Sequence, residues 1–262
     1  MKLTIAGLQH PGHPGDVEAN LSVVADAARE ARARGADLLV TPEMFVTGYN
    51  IGDRVAELAA RPLVAEVARV AADAGLAIVA GLPELLEDGT VANTALLVDE
   101  TGTELARYRK THLFSDLDRA LFAPGPGFVA PVTYRGVRLS LLICYDVEFP
   151  ETVRAAVRAG ADVVVVPTAQ MEPYAFVAEH LIRVRAWESQ VYVAYVNRSG
   201  AEGDLRYVGR SSIAAPTGDV LDALPAAQET GLVLATVDTD VVAQGRRDNP
   251  YLDDLRPALY RP

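Results

Sequence analysis

Three residues of different chemistry each follow a strand-like apolar run: Glu43 in DLLVTPEMFVTGY, Lys110 in LARYRKTHLF and Cys144 in RLSLLICYDVEFPE. Strand ends are where open α/β proteins collect their ligands, so the three positions suit a catalytic set. Inert core is the ordinary fate of a lone cysteine, and only its neighbours lift Cys144 out of that reading. A free thiol with a pKa of about 8.5 is only a few per cent thiolate at neutral pH, so it needs a base, which Glu43 can supply. When such a thiolate attacks a carbon bound to nitrogen, negative charge builds on the carbonyl oxygen. Lys110 and the backbone N–H of Tyr145, next after the nucleophile, are the natural pair to meet it, each such donor being worth about 3 kcal/mol. Lysine occurs only at Lys2 and Lys110, against 22 arginines. Coding preference accounts for the bias, yet it makes a retained ammonium conspicuous, because a point charge fits sites that a planar guanidinium does not.

Other polar residues carry weaker signals. Tyr49, Tyr145, Gln170 and Met171 can line a pocket, whereas Trp187 reads as core packing and His180 as a helix-face residue. His10, His13 and Asp16 are separated by prolines and glycines and read as a loop rather than a metal cluster. No G-x-S-x-G elbow is present, and Gly125 to Gly127 lacks the phosphate-loop pattern. Neither a metal nor another cofactor is expected.

The elements that must position these residues are legible as alternating patterns. Strand-like runs occur at Leu3 to Leu8, Asp37 to Thr41, Leu76 to Gly81, Asn93 to Val98, Val137 to Cys144, Asp162 to Pro167, Val191 to Val196 and Ser211 to Ala215. Apolar residues at three- and four-residue spacing predict helices over Asp16 to Arg34, Pro62 to Ala74, Pro150 to Ala159 and Tyr174 to Gln190. Hairpin turns are expected at Glu100-Thr101-Gly102 and Pro216-Thr217-Gly218. The mixture predicts a sheet-rich α/β sandwich rather than a purely parallel sheet. The Pro- and Gly-rich stretch Ala123 to Pro131 reads as a loop inside one domain of residues 1–262, with 245–262 a weakly periodic tail lying across a surface or a neighbouring subunit.

Composition narrows the partners. The 262 residues are 50% hydrophobic and 23% charged, with a net charge of −11. Nucleic-acid binding draws on clustered Lys and Arg, so such a partner is disfavoured and a small neutral substrate is easier to accommodate. The N-terminal MKLTIAGLQHPG has no basic region or long apolar core, which reads as a strand rather than a signal peptide. No stretch approaches a membrane span. One cysteine cannot form an internal disulfide, in keeping with a reducing, cytoplasmic setting.

The segments LLVTPEMFVTGY, YRKTHLF and LLICYDVEFPE resemble, in order and spacing, the three signature motifs of the nitrilase superfamily of carbon–nitrogen hydrolases. Similarity extends through AGLPE, NTALLVD, FAPG, ADVVVVPTA, RAWESQVYVAYVNRSG and GRSSIAAPTGDVL, nearly the whole chain to about Asp240. The resemblance implies a four-layer αββα sandwich of the nitrilase type that pairs across its helices into homodimers or higher homo-oligomers. It also implies cofactor-free hydrolysis through a thioester, with Glu43 as general base, Lys110 as transition-state stabiliser and Cys144 as nucleophile.

Two departures shape the expected chemistry. Many amidase-like members carry a second glutamate eight positions after the lysine, where this chain has Asp118; either the loop lies closer or the second acid has lost its role. Numerous members have an arginine four positions after the cysteine, where this chain has Glu148. CYDVEFPE resembles the amidase-like branch acting on small carboxamides more than the branch handling dicarboxylic monoamides, and an acid at the mouth repels a substrate carboxylate, which points toward neutral or basic amides. The expected activity is hydrolysis of small neutral, aliphatic-type carboxamides to acid and ammonia. A nitrilase or an N-carbamoyl amide hydrolase would use the same set, and a binding or assembly protein on a degenerate sandwich is disfavoured by retention of all three residues.

Overall fold

In the computed structural model, which describes residues 1–260, the apolar runs become two six-stranded sheets. The chain order begins β1 (Lys2–Gln9), α1 (Val17–Ala33), β2 (Leu38–Val40), α2 (Arg54–Ala59), α3 (Leu63–Ala74), β3 (Ala77–Leu85), β4 (Val91–Val98), β5 (Glu104–Arg109) and α4 (Ser115–Leu121). It continues with β6 (Val132–Tyr134), β7 (Val137–Leu141), a 3₁₀ turn (Cys144–Glu148), α5 (Pro150–Arg158), β8 (Val163–Thr168), α6 (Ile182–Ser189) and β9 (Tyr192–Asn197). Then come β10 (Ala201–Glu202), β11 (Leu205–Arg206), β12 (Ser212–Ala214), β13 (Val220–Ala223), β14 (Gly231–Asp238), α7 (Thr239–Asp248) and α8 (Tyr251–Asp254).

The first sheet is ordered β14-β1-β2-β3-β4-β5 and the second β13-β12-β9-β8-β7-β6. Each has three central parallel strands flanked by antiparallel ones, so the two halves repeat one plan. Burial on both faces explains why the strands read as unbroken apolar runs. In the first sheet Leu3, Ile5, Leu38, Val40, Ala77 and Val79 face the second sheet. Their neighbours Ala6, Leu8, Leu39, Ile78 and Ala80 pack instead with α1 and α3. Helices α5 and α6 cover the outer face of the second sheet through Val153, Ala156, Ile182 and Ala186. The result is the four-layer αββα sandwich.

Local signals explain most element ends. Asp16 caps α1 by accepting from the Ala19 N–H at 3.0 Å, and Gly75 closes α3 in the left-handed region. Asp16 is therefore a helix cap. The turns through Gly102 and Gly218 join β4 to β5 and β12 to β13 as expected. Four expectations need correction. The strand ending at Cys144 stops at Leu141, and Cys144 opens the 3₁₀ turn instead. The helix over Tyr174 to Gln190 is a wide π turn, Val177–Leu181, leading into α6. Trp187 is not core but 41% exposed, its ring 6.4 Å from that of Tyr251. The region beyond Gly245 begins inside α7, which Asp238 caps by accepting from Asp240.

Candidate active site

Glu43, Lys110 and Cys144 sit just past β2, β5 and β7, and tertiary contacts fix each loop. The Glu43 amide donates to the Thr168 carbonyl at the end of β8 (3.3 Å), tying the two sheets together at the site. On the other side Gly81 of β3 lies so close that an added Cβ would stand 2.4 Å from the Pro42 carbonyl oxygen and 2.8 Å from Glu43 Cα. Lys110 is held through its backbone, its N–H donating to Asn93 O (2.8 Å) and its carbonyl accepting from Gly125 (2.7 Å). Before it, Arg107 and Arg109 of β5 both bind the carboxylate of Glu84 on β3. Their charge holds Glu84 down at a pKa of about 2 although burial acts to raise it.

Cys144 has φ 44° and Met44, next to Glu43, φ 51°, a region that side chains bearing a Cβ seldom adopt. Asp146 explains how the Cys144 turn tolerates this. One of its oxygens accepts from the Ile143 N–H and the Tyr108 hydroxyl, and the other from the Thr111 hydroxyl and the His112 N–H, all at 2.9 to 3.1 Å. The Cys144 turn is thus tied to the segment that carries Lys110. Arg185 of α6 supports the other end of the turn, donating to the carbonyls of Val147 and Glu148.

The side chains converge. Lys110 Nζ, fully buried, donates to Glu43 Oε1 and to Asp118 Oδ2, each at 2.7 Å. Asn93 Nδ2 also donates to Glu43 Oε1 (2.7 Å), while Glu43 Oε2 is buried without a hydrogen-bond partner. One carboxylate oxygen is therefore fixed by two donors and the other is left open to take a proton. Asp118 is fully buried, not a solvated loop charge: Oδ2 also accepts from the Phe114 N–H (2.8 Å) and Oδ1 from the Tyr49 hydroxyl (2.6 Å). The shorter aspartate reaches Lys110 because α4 starts immediately after Phe114 and turns its first-turn carboxylate inward.

Charge and burial set the protonation states. Burial, reinforced by the Glu43 carboxylate, pushes the Cys144 thiol well up, which favours the protonated thiol. Burial also raises Glu43, with the neighbouring Asp118 adding to the effect against the pull of Lys110. Burial by itself would lower Lys110, but Glu43 and Asp118 together outweigh it and hold the ammonium well above its ordinary range. Tyr49 is driven well up by burial and by the same two carboxylates, so it remains a hydroxyl donor.

A narrow cavity opens onto this group, lined by Tyr49, Phe114, Cys144, Glu148, Ala169, Gln170, Met171 and Tyr174. The Cys144 thiol points at Gln170 Oε1, 3.8 Å away. No group of His, Cys, Asp and Glu able to hold a metal occurs among the described residues.

The carbon–nitrogen hydrolase family description matches residues 3–247. The chain belongs to that family. Within this hydrolase family, of the nitrilase superfamily, it is 46% identical to the "Hydrolase in pqqF 5'region" of Pseudomonas protegens, over 98% of this chain and 90% of that one. It is 38% identical to an (R)-stereoselective amidase of a Pseudomonas species, over 96% and 91% of the two chains. Among solved structures, the amidase of Nesterenkonia sp. AN1 in complex with acrylamide superposes with a TM-score of 0.88 at 36% identity, covering 99% of this chain and 96% of that one. Further structures of the same amidase hold butyramide, or the acetamide moiety of fluoroacetamide joined covalently to the active-site cysteine.

Of the pocket residues expected from sequence, this carbon–nitrogen hydrolase brings Tyr49, Glu148, Gln170 and Met171 into the cavity. The Tyr145 side chain turns away, its ring edge-on to Phe114 at 5.4 Å and to Phe149 at 4.9 Å. Phe114, Ala169 and Tyr174 take the space instead. Asn93 and Asp146 escaped the sequence reading altogether. A polar residue inside the apolar strand VANTALLV, and an acid two residues after the cysteine, were the available signals.

Proposed function

We propose that the protein hydrolyses small, neutral, aliphatic-type carboxamides to carboxylic acid and ammonia through a thioester on Cys144. The observation that carries this reading is the narrow cavity at Cys144, enclosed by Tyr49, Phe114, Met171 and Tyr174, which leaves no room for a bulky acyl group. Its wall is aromatic and aliphatic apart from Gln170 and Glu148, and Glu148 disfavours an acyl group that carries its own carboxylate. The amides bound by the related Nesterenkonia amidase are of this size class.

In the proposed cycle Glu43 Oε2 takes the Cys144 proton as Sγ attacks the carbonyl carbon. The C–O π pair becomes an oxyanion that Lys110 Nζ and the Tyr145 amide stabilise. Collapse reforms the carbonyl and breaks the C–N bond, and the proton held by Glu43 leaves with the nitrogen as ammonia. Water then adds to the thioester with Glu43 again as base, and the acid leaves with the thiol restored. Asp118 and Tyr49 keep Lys110 charged and in place throughout. The test is ammonia release from a panel of short amides, nitriles and N-carbamoyl amines, with intact-mass analysis of the enzyme. An acyl adduct on the wild type and its absence in Cys144→Ala are expected; nitriles turned over in preference to amides would overturn the substrate class, and turnover by Cys144→Ala the mechanism.

We further propose a cytoplasmic homodimer, in keeping with the single cysteine and with the exposed apolar side chains of Phe176, Val184 and Trp187 on the α6 side, the last of them against Tyr251. Among the described residues no helix is long and apolar enough to cross a membrane.

A further inference from the structure

The Lys110 network does not end at Tyr49. The backbone N–H groups of Tyr49 and Asn50 donate to the two oxygens of Glu202, Oε1 and Oε2, at 3.0 Å each. Glu202 is 2% exposed and belongs to the β10–β11 hairpin, which extends from the second sheet across to the Glu43 loop of the first. The Tyr207 hydroxyl donates to Oε2. Arg198, fully buried, lies 3.7 Å from Oε1. Its two terminal nitrogens have no hydrogen-bond partner, so it compensates Glu202 as a charge and not as a donor. Gly48 is shaped for this clasp: its φ is +103°, and a Cβ there would come within 2.8 Å of Glu202 Oε1.

Burying a carboxylate is costly unless its oxygens are satisfied, and here they are satisfied by the loop whose next functional atom is the Tyr49 hydroxyl. Tyr49 reaches Asp118 Oδ1 at 2.6 Å, and Asp118 Oδ2 holds Lys110 Nζ at 2.7 Å. We propose that Glu202 is a positioning residue for catalysis: by clasping two consecutive amides it aims the Tyr49 hydroxyl at Asp118 and so sets the place of the Lys110 ammonium. It touches neither substrate nor the reacting atoms. The proposal rests on the amide-hydrolysis reading only for its assay.

The test is a double-mutant cycle of Glu202→Gln and Tyr49→Phe, read as kcat and KM for a short amide together with urea unfolding. A glutamine has the same shape but offers only one acceptor to two amides. Each single variant is expected to lower kcat about tenfold with KM little changed, short of the ~10²-fold that a 1 Å misplacement can cost. The double variant should also lose about tenfold, because both act through one hydroxyl. An additive loss of about a hundredfold, or a Glu202→Gln variant with wild-type kcat, would overturn the proposal and leave Glu202 a stability residue. Should Glu202→Gln fail to fold, Tyr207→Phe, which removes one hydroxyl from the same carboxylate, takes its place in the cycle under the same criterion. If the wild type releases no ammonia from any amide, the substrate reading fails, and the cycle is read instead on the rate of Cys144 alkylation by iodoacetamide. The chain's single cysteine makes that rate unambiguous, and the same non-additivity decides.

Discussion

Replacing Gly81 by alanine is the most economical way to move Glu43, the proposed general base, without touching any of the proposed reactive atoms. The new Cβ would meet the Pro42 carbonyl oxygen at 2.4 Å, the Met44 nitrogen at 2.6 Å and Glu43 Cα at 2.8 Å, all of them backbone. Ordinary contact begins near 3.4 Å, so the loop must retreat by about 1 Å at its closest point. Little can absorb the shift: the same loop is bound to β3 by Thr41 N–H to Val79 O, by Val46 N–H to Gly81 O, and by Gly81 N–H to Thr41 Oγ1. A displacement of this size in a catalytic group can cost ~10²-fold in rate, and overpacking a filled site costs about 1–3 kcal/mol of stability. Gly81→Ala should therefore lower kcat for a short amide by between tenfold and a hundredfold while the chain still folds. Ammonia release at saturating amide, with urea unfolding at the same pH, separates the two effects. A folded Gly81→Ala enzyme with wild-type kcat would refute the argument that the β3 backbone sets the position of Glu43.

Lys110→Arg should be nearly as damaging as Lys110→Ala, mainly in kcat, because Nζ is fully buried between two carboxylates at 2.7 Å and a planar guanidinium cannot occupy that point; near-normal kcat in the arginine variant would remove Lys110 from the oxyanion site. Asp118→Asn is expected to cut kcat at least tenfold, an order-of-magnitude figure for a displaced catalytic group, with Asp118→Glu only partly tolerated, whereas Asp116→Asn, on the exposed side of α4, should match the wild type. Equal behaviour of the two asparagine variants would mean that the buried contacts of Asp118 do not matter for turnover. Glu43 must be ionised to take the thiol proton and burial raises its pKa, so the acid limb of kcat/KM should lie above the ordinary carboxylate value of 4.5. A pH–rate profile for a neutral amide reads this directly, and a limb at or below 4.5 would contradict the assignment.

The residues to which the proposal assigns chemistry were legible because each is tied to a local pattern. Glu43, Lys110 and Cys144 all follow apolar runs, and the glycine turns, the Asp16 cap and Pro150 at the start of α5 mark boundaries within a few residues of themselves. Signals of that kind act over one turn or one strand, which is the range a linear pattern can report. Strand β14 escaped the expected set although GLVLATVD alternates in burial, since its pairing with β1 joins residues more than two hundred positions apart. Trp187 misled for the opposite reason: a large aromatic on a helix is usually core, and nothing local distinguishes the face of α6 that packs on the sheet from the face that carries Trp187.

The identity of the proposed reacting groups, their order and the alternation of strand and helix belong to the sequence alone. Tertiary structure decided what surrounds them. It placed Tyr174 in the cavity and turned Tyr145 out of it, because side-chain direction in a 3₁₀ turn depends on the φ of Cys144, which Asp146 holds through partners more than thirty residues away. It brought Asp118 within reach of Lys110 despite the missing carbon, through the turn at Phe114 that starts α4. It left Glu43 Oε2 without a partner while loading Oε1 with two donors from β4 and from the residue after β5. Each of these depends on which strands lie side by side, and that is settled by the pairing of two sheets rather than by the periodicity of any one segment.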